Sequence, residues 1–426
     1  MFLHSIRVSL LASLLAFTSA LLLTACGGGT STKPEPPVGG LSVSAGDSEV
    51  TITWKETPGV EYWIFASPNS PNLTLSTWLA TLGSTYRLKV TSPFIVTGLT
   101  NGTPYSFFIT GRINGGPGSD ATPTVIATPR LAGIDWTPGV TLNTGSKTAM
   151  TYGNYLDATT NTYIYKYIAA GYGGRLFNAS DIGTWTALTS PVTADLNAAE
   201  FVPTMSRFMA VGAGGKIVTS PDSQTWTEGT SVTTENLNAI ATGGSMVVAV
   251  GNNGSIITTT DGITWKTATS VPSATPHLYG VVYSLSGKWI AVGAGGTILT
   301  STDGLTWTSQ TSGTTADLKA IGSNSTYLNS VTTYTYVAVG ANGTVLTSSD
   351  AAAWTAQNAN TTASLNALSS VNQFMAAGSN GTIITSTDGI TWTARASNST
   401  ANLTSLIRAG NQYIAVSDTG KIIYSK

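Results

Sequence analysis

Six aspartates recur along the chain from residue 181 onward, separated by 38 to 47 residues. Carboxylates in a regular series could bind cations, which is the first chemistry that these residues allow. With one aspartate in each repeat, however, the side chains lie too far apart to converge on one ion. We therefore expect each carboxylate to accept hydrogen bonds from the backbone of its own turn, with no metal site and no cofactor. The six are Asp181, Asp222, Asp261, Asp303, Asp350 and Asp388.

Groups suited to catalysis are sparse in the same region. His277 is its one histidine, so a Ser/His/Asp triad or a histidine-rich metal site would depend on a single residue. Asp195, Glu235 and Asp317 come just before short apolar runs and could supply the paired carboxylates of a glycoside hydrolase. Nothing in their spacing singles out one pair, so we predict that the protein is not an enzyme.

For this region a binding function is a better prediction than a catalytic one. Polar and aromatic residues stand at equivalent positions, where each repeat begins its first apolar run. Short amides and an aromatic ring there could bind a peptide or the hydroxyl groups of a glycan, although asparagines at such positions also serve to satisfy strand ends. The first repeat adds a second candidate patch, because Tyr163 and Tyr165 alternate in it and tyrosine is favoured in interfaces. The candidates of the first group are Asn197, Asn238, His277, Tyr279, Lys319 and Asn366.

The elements that must position these residues come from a repeat of about 40 residues. Its cleanest copy covers residues 376–393 (AAGSNGTIITSTDGITWT), and residues 291–308 and 249–266 repeat it closely. Each copy contains four short β-branched runs separated by glycine turns, which predicts a four-stranded antiparallel propeller blade. A tryptophan in the fourth run would fill the space between neighbouring blades, since such a ring buries about 150–250 Å². These residues are Trp136, Trp185, Trp226, Trp265, Trp307, Trp354 and Trp392.

The number of blades follows from the two ends of the repeat region. The chain finishes with only three predicted strands, whereas residues 133–137 (GIDWT) match a fourth strand without the preceding three. Pairing of this N-terminal strand with the C-terminal three would complete a seventh blade and remove exposed sheet edges. We therefore predict an all-β chain with a closed seven-bladed β-propeller at residues 132–426.

Residues 301–307 (STDGLTW) and 386–392 (STDGITW) resemble the Asp-box, or bacterial neuraminidase (BNR), repeat. That repeat occurs in sialidases, in sortilin-type propellers and in the photosystem II stability and assembly factor family, and the likeness to the last is the fullest, over residues 133–426. The resemblance implies a protein-binding scaffold. A sialidase would also need an arginine triad, but no arginine of the region recurs at an inner-strand position; these are Arg130, Arg175, Arg207, Arg395 and Arg408.

Residues 41–129 alternate with period two in several segments, which predicts a small β-sandwich. Residues 98–105 (GLTNGTPY), together with Trp54, resemble a fibronectin type III domain. The resemblance places Tyr105 at the tyrosine corner of that fold, with its hydroxyl bonded to the preceding loop. In this family the domain serves as a spacer or adhesion module, so we assign it no catalytic role.

Residues 1–25 combine a basic start with an apolar run and small residues, the pattern of a secretory signal peptide. Residues 23–26 (LTAC) resemble the lipobox of bacterial lipoproteins, which implies a lipid on Cys26 and, with Gly27 next, location at the outer membrane. Residues 26–40 would then form a flexible tether. Cys26 is the single cysteine, so no intramolecular disulfide can form.

Composition narrows the partners. The chain has 19 basic and 20 acidic residues, and its 9% charged residues compare with the usual ~25%. A nucleic-acid-binding protein needs a basic face, so we exclude that class. The sequence predicts a non-catalytic envelope lipoprotein that binds an envelope or surface protein through its propeller and contacts the membrane through the lipid on Cys26. The alternative is a cell-surface glycan-binding protein or a sialidase-like glycoside hydrolase.

Overall fold

The computed structural model describes residues 33–37, 39–69, 73–145, 147–157, 159–273, 275–328 and 330–426. The predicted signal peptide, Cys26 and most of the predicted tether lie outside the described residues. Within these ranges the regular structure is almost entirely β-strand, which confirms the all-β class. No helix in the described ranges is long and apolar enough to cross a membrane. The chain divides into two compact units, with the boundary between Leu131 and Ala132.

The first unit contains two antiparallel sheets, one of three strands and one of four. Val50 and Ile52 point into the core and are fully buried, whereas Thr51 between them is half-buried. The core draws on both sheets, so these two form a sandwich. The three-stranded sheet contains β1 (Ser42–Gly46), β2 (Glu49–Thr53) and β5 (Phe94–Thr97). The other contains, in spatial order, β4 (Thr85–Val90), β3 (Glu61–Pro68), β6 (Tyr105–Arg112) and β7 (Val125–Ala127).

Tyr105 ties a loop of this sandwich to its core. The Tyr105 hydroxyl accepts a hydrogen bond from the backbone N–H of Thr100 at 3.2 Å. Trp54 packs edge-on against Tyr62, with ring centroids 5.6 Å apart. The Tyr105 contact is the one that a tyrosine corner would make, while the fibronectin type III assignment itself stays a prediction.

One short helix, α1 (Leu75–Ala80), was not expected from the sequence. Thr74 and Thr77 exchange hydrogen bonds in a capping box, which satisfies donors at the start of the helix. Trp78 then packs on Phe65 and Phe108, on the face of the four-stranded sheet opposite the main core. Six residues are too few to show helical periodicity, so the pattern of the sequence alone does not reveal this element.

The second unit contains, within its described residues, seven four-stranded antiparallel sheets. The first strand of each sheet lies against the first strand of the next, and that of sheet 7 lies against that of sheet 1. Sheets 1 to 3 comprise Thr148–Asp157, Thr162–Gly171, Leu176–Asp181 and Thr184–Leu188; Leu196–Val202, Arg207–Gly212, Ile217–Ser220 and Thr227–Glu228; and Leu237–Gly243, Met246–Gly251, Ile256–Thr259 and Lys266–Thr267.

Sheets 4 to 6 follow the same order along the chain. They comprise Leu278–Tyr283, Trp289–Gly293, Ile298–Ser301 and Thr308–Gln310; Leu318–Leu328, Val331–Gly340, Val345–Ser348 and Thr355–Gln357; and Leu365–Ser369, Phe374–Gly378, Ile383–Ser386 and Thr393–Arg395. Sheet 7 comprises Leu403–Ala409, Gln412–Ser417, Lys421–Ser425 and, from the start of the unit, Thr137–Thr141.

Sheet 7 thus takes its outer strand from the N-terminal end of the unit. Thr137–Thr141 pairs antiparallel with Lys421–Ser425, and the Gly133 N–H donates to Ser425 Oγ at 2.8 Å. The strand begins after Trp136 rather than including it, and the fourth strands of sheets 2 to 6 likewise begin directly after their tryptophans, which differs from the sequence prediction. Trp185 alone lies within its strand. The Trp136 indole N–H donates to the carbonyl of Gly133 in the turn before the strand.

The aspartates that recur in the sequence stand where the third strand turns into the fourth in sheets 1 to 6. Asp388 Oδ1 accepts hydrogen bonds from the N–H groups of Ile390 and Thr391, both at 2.8 Å. Ser386 Oγ donates to Asp388 Oδ1 and accepts from the N–H of Gly389. The carboxylates of the equivalent turns accept the same pair of backbone N–H groups; they are Asp181, Asp222, Asp261, Asp303 and Asp350.

A glycine-containing 3-10 turn joins the second and third strands in sheets 1 to 6. In sheet 6 the turn is Ser379–Gly381, with Asn380 at φ 56° and Gly381 at φ 67°. A Cβ on Gly381 would lie 1.8 Å from the carbonyl oxygen of Ser399, which belongs to the segment leading into sheet 7. The glycine is therefore required by close approach as well as by its backbone angle.

The tryptophans fill the spaces between sheets. Trp392 lies in a cluster with residues of sheets 5 and 6, and its indole N–H donates to the Gly389 carbonyl at 2.9 Å. Trp307 lies in the same way between sheets 3 and 4. Five of the seven are buried, and Trp185 and Trp354 are half-buried at the edges of their clusters.

Replacement of Trp392 by alanine should lower the free energy of unfolding by about 3–5 kcal/mol, because the large cavity would remain between two rigid sheets. Trp392 is 3% exposed, whereas Ile390 in the same turn is 55% exposed. Ile390→Ala is therefore the matched control and should change stability by less than about 0.5 kcal/mol. Urea denaturation of both variants measures the difference, and equal effects would contradict this description of the tryptophan.

Candidate functional site

A β-bulge occurs near the start of the first strand in sheets 2 to 7. In sheet 2 the pairing steps from Leu196 to Ala198, so Asn197 has no cross-strand partner. Sheet 1 pairs without such a step. A bulge redirects one side chain out of the regular alternation, and here it does so at the same place in six sheets. We call these residues the bulge ring: Asn197, Asn238, Tyr279, Lys319, Asn366 and Thr404.

Most of the bulge ring ties neighbouring sheets together. Asn197 Nδ2 donates to the carbonyl of Leu237, the residue that opens the next sheet, at 3.0 Å. Asn238 and Asn366 make the same contact at 2.9 and 3.0 Å. Thr404 Oγ1 continues the series from sheet 7 to sheet 1 through the carbonyl of Thr148. The three asparagines predicted to bind a ligand therefore hold sheets together, and their binding role stays a prediction.

Tyr279 and Lys319 are the two exceptions in the bulge ring. The Lys319 ammonium lies 3.9 Å from the centroid of the Tyr279 ring, in a cation–π contact. It also pairs with Asp317 Oδ2 at 3.2 Å. The structure thus brings together two of the residues predicted from the sequence, and their contact joins sheets 4 and 5 in a different way from the asparagine hydrogen bonds.

His277 lies next to this pair, with its ring centroid 6.5 Å from that of Tyr279. Its Nδ1 accepts a hydrogen bond from the backbone N–H of Asn253 at 3.1 Å, which leaves Nε2 to carry the proton of the neutral ring. The equivalent residues of other sheets bond the preceding turn in the same way; they are Asp195, Asn236, Asp317 and Asn402. His277 therefore accepts the same backbone hydrogen bond as the aspartate or asparagine at the equivalent positions.

Charges at this end of the sheets are coupled. The backbone N–H of Gly295 lowers the pKa of Asp317, and Lys319 and His277 lower it further. The surrounding protein partly desolvates Lys147, which precedes the first strand of sheet 1 and keeps an exposed side chain, and this lowers its pKa; repulsion from Lys319 adds to the effect. Two ammonium groups from sheets 1 and 5 thus lie within electrostatic range. Lys147 was missed by the sequence analysis, because sheet 1 lacks the bulge that marks the other first strands.

Glu200 is a half-buried acid in the first strand of sheet 2. Burial raises its pKa to about 8, against the effect of a hydrogen bond from the backbone of Thr242. The corresponding residues of the next three sheets carry no charge; they are Ala241, Val282 and Gly322. An acid at this point is therefore a departure from the repeat.

Tyr163 and Tyr165 lie elsewhere, on the long hairpin formed by the first two strands of sheet 1. They are 63% and 50% exposed, and Tyr165 stacks on Tyr152 at 5.9 Å. Sheet 5 has a similar long hairpin, with Tyr327 exposed near its tip. These hairpins project at the end of the first strands opposite the bulge ring, so the two predicted binding patches are separate surfaces.

No cluster of three or more His, Cys, Asp or Glu side chains that could hold a metal ion occurs in the described ranges. The repeat aspartates stand one in each turn, and their carboxylates are bonded within it. Hydrogen bonds from the turn backbone lower the pKa of Asp350 to about 2 and also lower that of Asp303. Their chemistry in this structure is that of turn formation.

Comparison with known proteins agrees with this geometry. A family model described as the DUF6242 beta propeller domain matches residues 136–284. The second unit of this chain is a β-propeller. The sequence matches no curated protein.

Solved structures of propellers resemble the chain as well. YCF48 bound to D1 peptide is 19% identical, covers 68% of this chain and 94% of its own, and superposes with a TM-score of 0.52. YCF48 from Cyanidioschyzon merolae is 18% identical, with 68% and 98% covered and a TM-score of 0.50. The WD40 beta propeller domain of Doa1 is 10% identical, with 68% and 97% covered and a TM-score of 0.51. At these identities the likeness shows the fold.

Replacement of Glu200 by glutamine should make stability less dependent on pH. A carboxyl whose pKa rises on folding favours the folded state while it is protonated, and this advantage is lost as pH rises from about 4.5 to about 8. Glu200→Gln should therefore raise the melting temperature by a few degrees at pH 9 and by little at pH 5. Thermal unfolding across this range tests it, with the exposed Glu228→Gln as control. A gain of equal size at pH 5 and pH 9 would contradict it.

Proposed function

We propose that this chain is a non-catalytic, lipid-anchored scaffold of the bacterial cell envelope, whose propeller binds a protein segment at Tyr279 and Lys319. The observation that carries the proposal is the break in the bulge ring. Four bulge residues donate a hydrogen bond to a backbone carbonyl of the next sheet, whereas these two join sheets 4 and 5 through a cation–π pair. This pair leaves the Tyr279 hydroxyl and part of the Lys319 ammonium without a role in joining the sheets, and binding provides a use for these groups.

The chemistry of this pair suits a peptide. Lys319 carries three N–H donors and Asp317 engages one side of the group, so donors remain for a peptide carbonyl or an acidic side chain. Tyr279 supplies a flat ring with a hydroxyl, and His277 Nε2 adds a further donor. Tyrosine is common at interface hot spots, where one end is apolar and the other polar. Lys147 adds positive charge nearby, which favours an acidic segment over a basic one.

The comparisons support a protein partner at the level of the fold. A similar propeller, YCF48, has been solved with a D1 peptide, and the WD40 domain of Doa1 shares the architecture. The photosystem role named in the first resemblance is not transferred to this chain. What we carry over is the class of ligand, a protein segment in contact with the propeller.

The anchor and the first unit complete the proposal. The resemblance of residues 23–26 to a lipobox would place a lipid on Cys26 and the propeller in the envelope. The two-sheet sandwich and the Tyr105 contact support a fibronectin type III spacer between the tether and the propeller. A non-catalytic role is supported by His277 and Asp317, because both already bond turns of the preceding sheet.

Tyr279→Asn and Lys319→Asn should abolish partner binding without harming the fold. Asparagine at these positions can restore the tie that Asn238 and Asn366 make, so the melting temperature should stay equal or rise. Residues 40–426 serve as crosslinked bait on envelope extract, with mass spectrometry to identify partners. We expect at least about tenfold less captured partner for each variant.

Two further results separate the surfaces. A bait with Tyr163→Ser and Tyr165→Ser should capture the same partner, because these side chains lie on the opposite end of the first strands. If the asparagine variants fold normally and capture the partner as well as the parent chain does, binding at Tyr279 and Lys319 is wrong. If only the tyrosine-hairpin bait loses the partner, the binding surface is that hairpin.

We also propose that the pairing of Thr137–Thr141 with Lys421–Ser425 closes the propeller in solution. Deleting residues 132–140 would expose Lys421–Ser425 as a sheet edge and remove Trp136 from its cluster. The variant should melt at a clearly lower temperature and aggregate, as measured by calorimetry and light scattering. An unchanged melting temperature and solubility for the 132–140 deletion would refute closure.

A further inference from the structure

Five asparagines of this chain are followed directly by glycine, and such pairs can lose ammonia spontaneously. The backbone nitrogen of the glycine attacks the side-chain Cγ of the asparagine and closes a succinimide ring, and the amide nitrogen leaves as ammonia with the glycine N–H proton. Water then opens either carbonyl of the ring, which yields aspartate or isoaspartate. Glycine favours the attack because it has no side chain beside its nitrogen. The five are Asn101, Asn114, Asn253, Asn342 and Asn380.

The glycines of the three pairs in the propeller are held by the next sheet. These pairs lie in the 3-10 turns between the second and third strands of sheets 3, 5 and 6. The Gly254 N–H donates to the carbonyl of Pro276 at 3.0 Å, and the Gly381 N–H donates to that of Ala401 at 2.8 Å. Both acceptors belong to segments that enter the following sheet. Gly343 lies against the corresponding segment, since a Cβ on it would be 1.9 Å from the carbonyl oxygen of Thr361.

The asparagines of two of these turns are held as well. The Asn253 N–H donates to His277 Nδ1, and the Asn380 N–H donates to Asn402 Oδ1, both at 3.1 Å. The attack requires the asparagine ψ angle to rotate until the glycine nitrogen faces Cγ. In these turns the backbone N–H groups on both sides of that bond are fixed to the next sheet. The reaction therefore has to wait until the contacts between sheets open.

Asn101, in the first unit, is fixed through its side chain. Its Nδ2 donates to Asp47 Oδ1 at 2.7 Å, and its Oδ1 accepts from the backbone N–H of Ser48 at 2.9 Å. The Gly102 N–H donates to the carbonyl of Pro129 at 2.8 Å. Both reacting groups of this pair are thus engaged in hydrogen bonds.

Asn114 differs from the other four. It lies with Gly115 in the loop between β6 and β7, and both residues are exposed. The turn around them is closed by one hydrogen bond, from the Gly116 N–H to the carbonyl of Ile113 at 2.8 Å. Within the described ranges no hydrogen bond holds the Gly115 N–H or the Asn114 amide. A Cβ on Gly115 would meet no heavy atom beyond its chain neighbours within 4 Å, so the backbone has room to rotate.

We propose that Asn114 is the residue at which the folded protein is modified to aspartate and isoaspartate, and that contacts between sheets protect the Asn-Gly turns of the propeller. The new carboxylate appears two residues from Arg112, whose Cζ lies 4.0 Å from the centroid of the Trp63 ring. Arg112 also donates to the carbonyl of Gly116 at 3.1 Å. Isoaspartate lengthens the main chain, so it should disturb the turn to which Arg112 is bonded. This modification is independent of the binding function proposed above.

The test is peptide mapping by mass spectrometry after the full chain has been incubated at mildly alkaline pH, where the glycine N–H proton is removed faster. Conversion should occur first at Asn114, and the other four sites should react at least about tenfold more slowly, because their contacts must open before they react. The same incubation in denaturant is the control, and there all five sites should convert at similar rates. Conversion in the folded protein that is as fast at Asn253, Asn342 or Asn380 as at Asn114 would overturn the proposal. So would an intact Asn114 in the folded protein after the denatured chain has converted there.

Two reciprocal variants test the cause of the protection. Asn402→Ala removes the acceptor of the Asn380 N–H and should speed conversion at Asn380 by about fivefold, as expected for the loss of one hydrogen bond, with Asn253 as the internal reference. His277→Ala removes the acceptor of the Asn253 N–H and should have the reverse effect. Circular dichroism establishes that each variant is folded before incubation. Unchanged rates at both asparagines in folded variants would overturn the assignment of protection to the contacts between sheets.

Discussion

The close contact between each turn glycine and the segment that enters the next sheet is the constraint on which the propeller depends. Gly381 lies against the carbonyl of Ser399, and the Asn402 side chain accepts a hydrogen bond from the N–H of Asn380 in the same turn. Consecutive sheets share no strand ladder, so these contacts, the bulge-ring ties and the tryptophan clusters hold them together. A Cβ at the glycine would separate the sheets and weaken all three.

This constraint explains why departures from the repeat are informative. Where the repeat needs a donor to the next sheet, asparagine is found, and where it needs a donor to the third strand, glutamine is found. Tyr279, Lys319 and Arg395 occupy such positions with larger or charged groups. Arg395 keeps the structural bond and adds donors, whereas Tyr279 and Lys319 replace it. Both kinds of change provide hydrogen-bonding groups that the fold itself does not require.

The sequence predicts the repeat, the strand order and the turn role of the aspartates, because glycine, aspartate and tryptophan recur at nearly constant spacing. It does not predict α1, which is too short for a periodic pattern. Nor does it reveal that Asn197 ties two sheets, because that contact joins residues 40 positions apart through a bulge. His277 looks like a catalytic residue in the sequence, but its Nδ1 is occupied by a turn N–H. The roles of side chains at the junctions between sheets can therefore be assigned only from the three-dimensional structure.

The low charge of the chain gives its few cations unusual importance. Most repeat aspartates are bonded inside their turns, and Glu228 and Asp317 are paired with lysines. Lys147 and Lys319 lie within electrostatic range of each other at the start of the first strands, whereas Arg395 lies on the fourth strand of sheet 6. Arg395 bonds a neutral threonine hydroxyl, and Asp317 is the carboxylate beside Lys319. Because the net charge of the protein is only −1, any attraction of an acidic ligand must come from the location of these few cations and not from the charge of the whole chain.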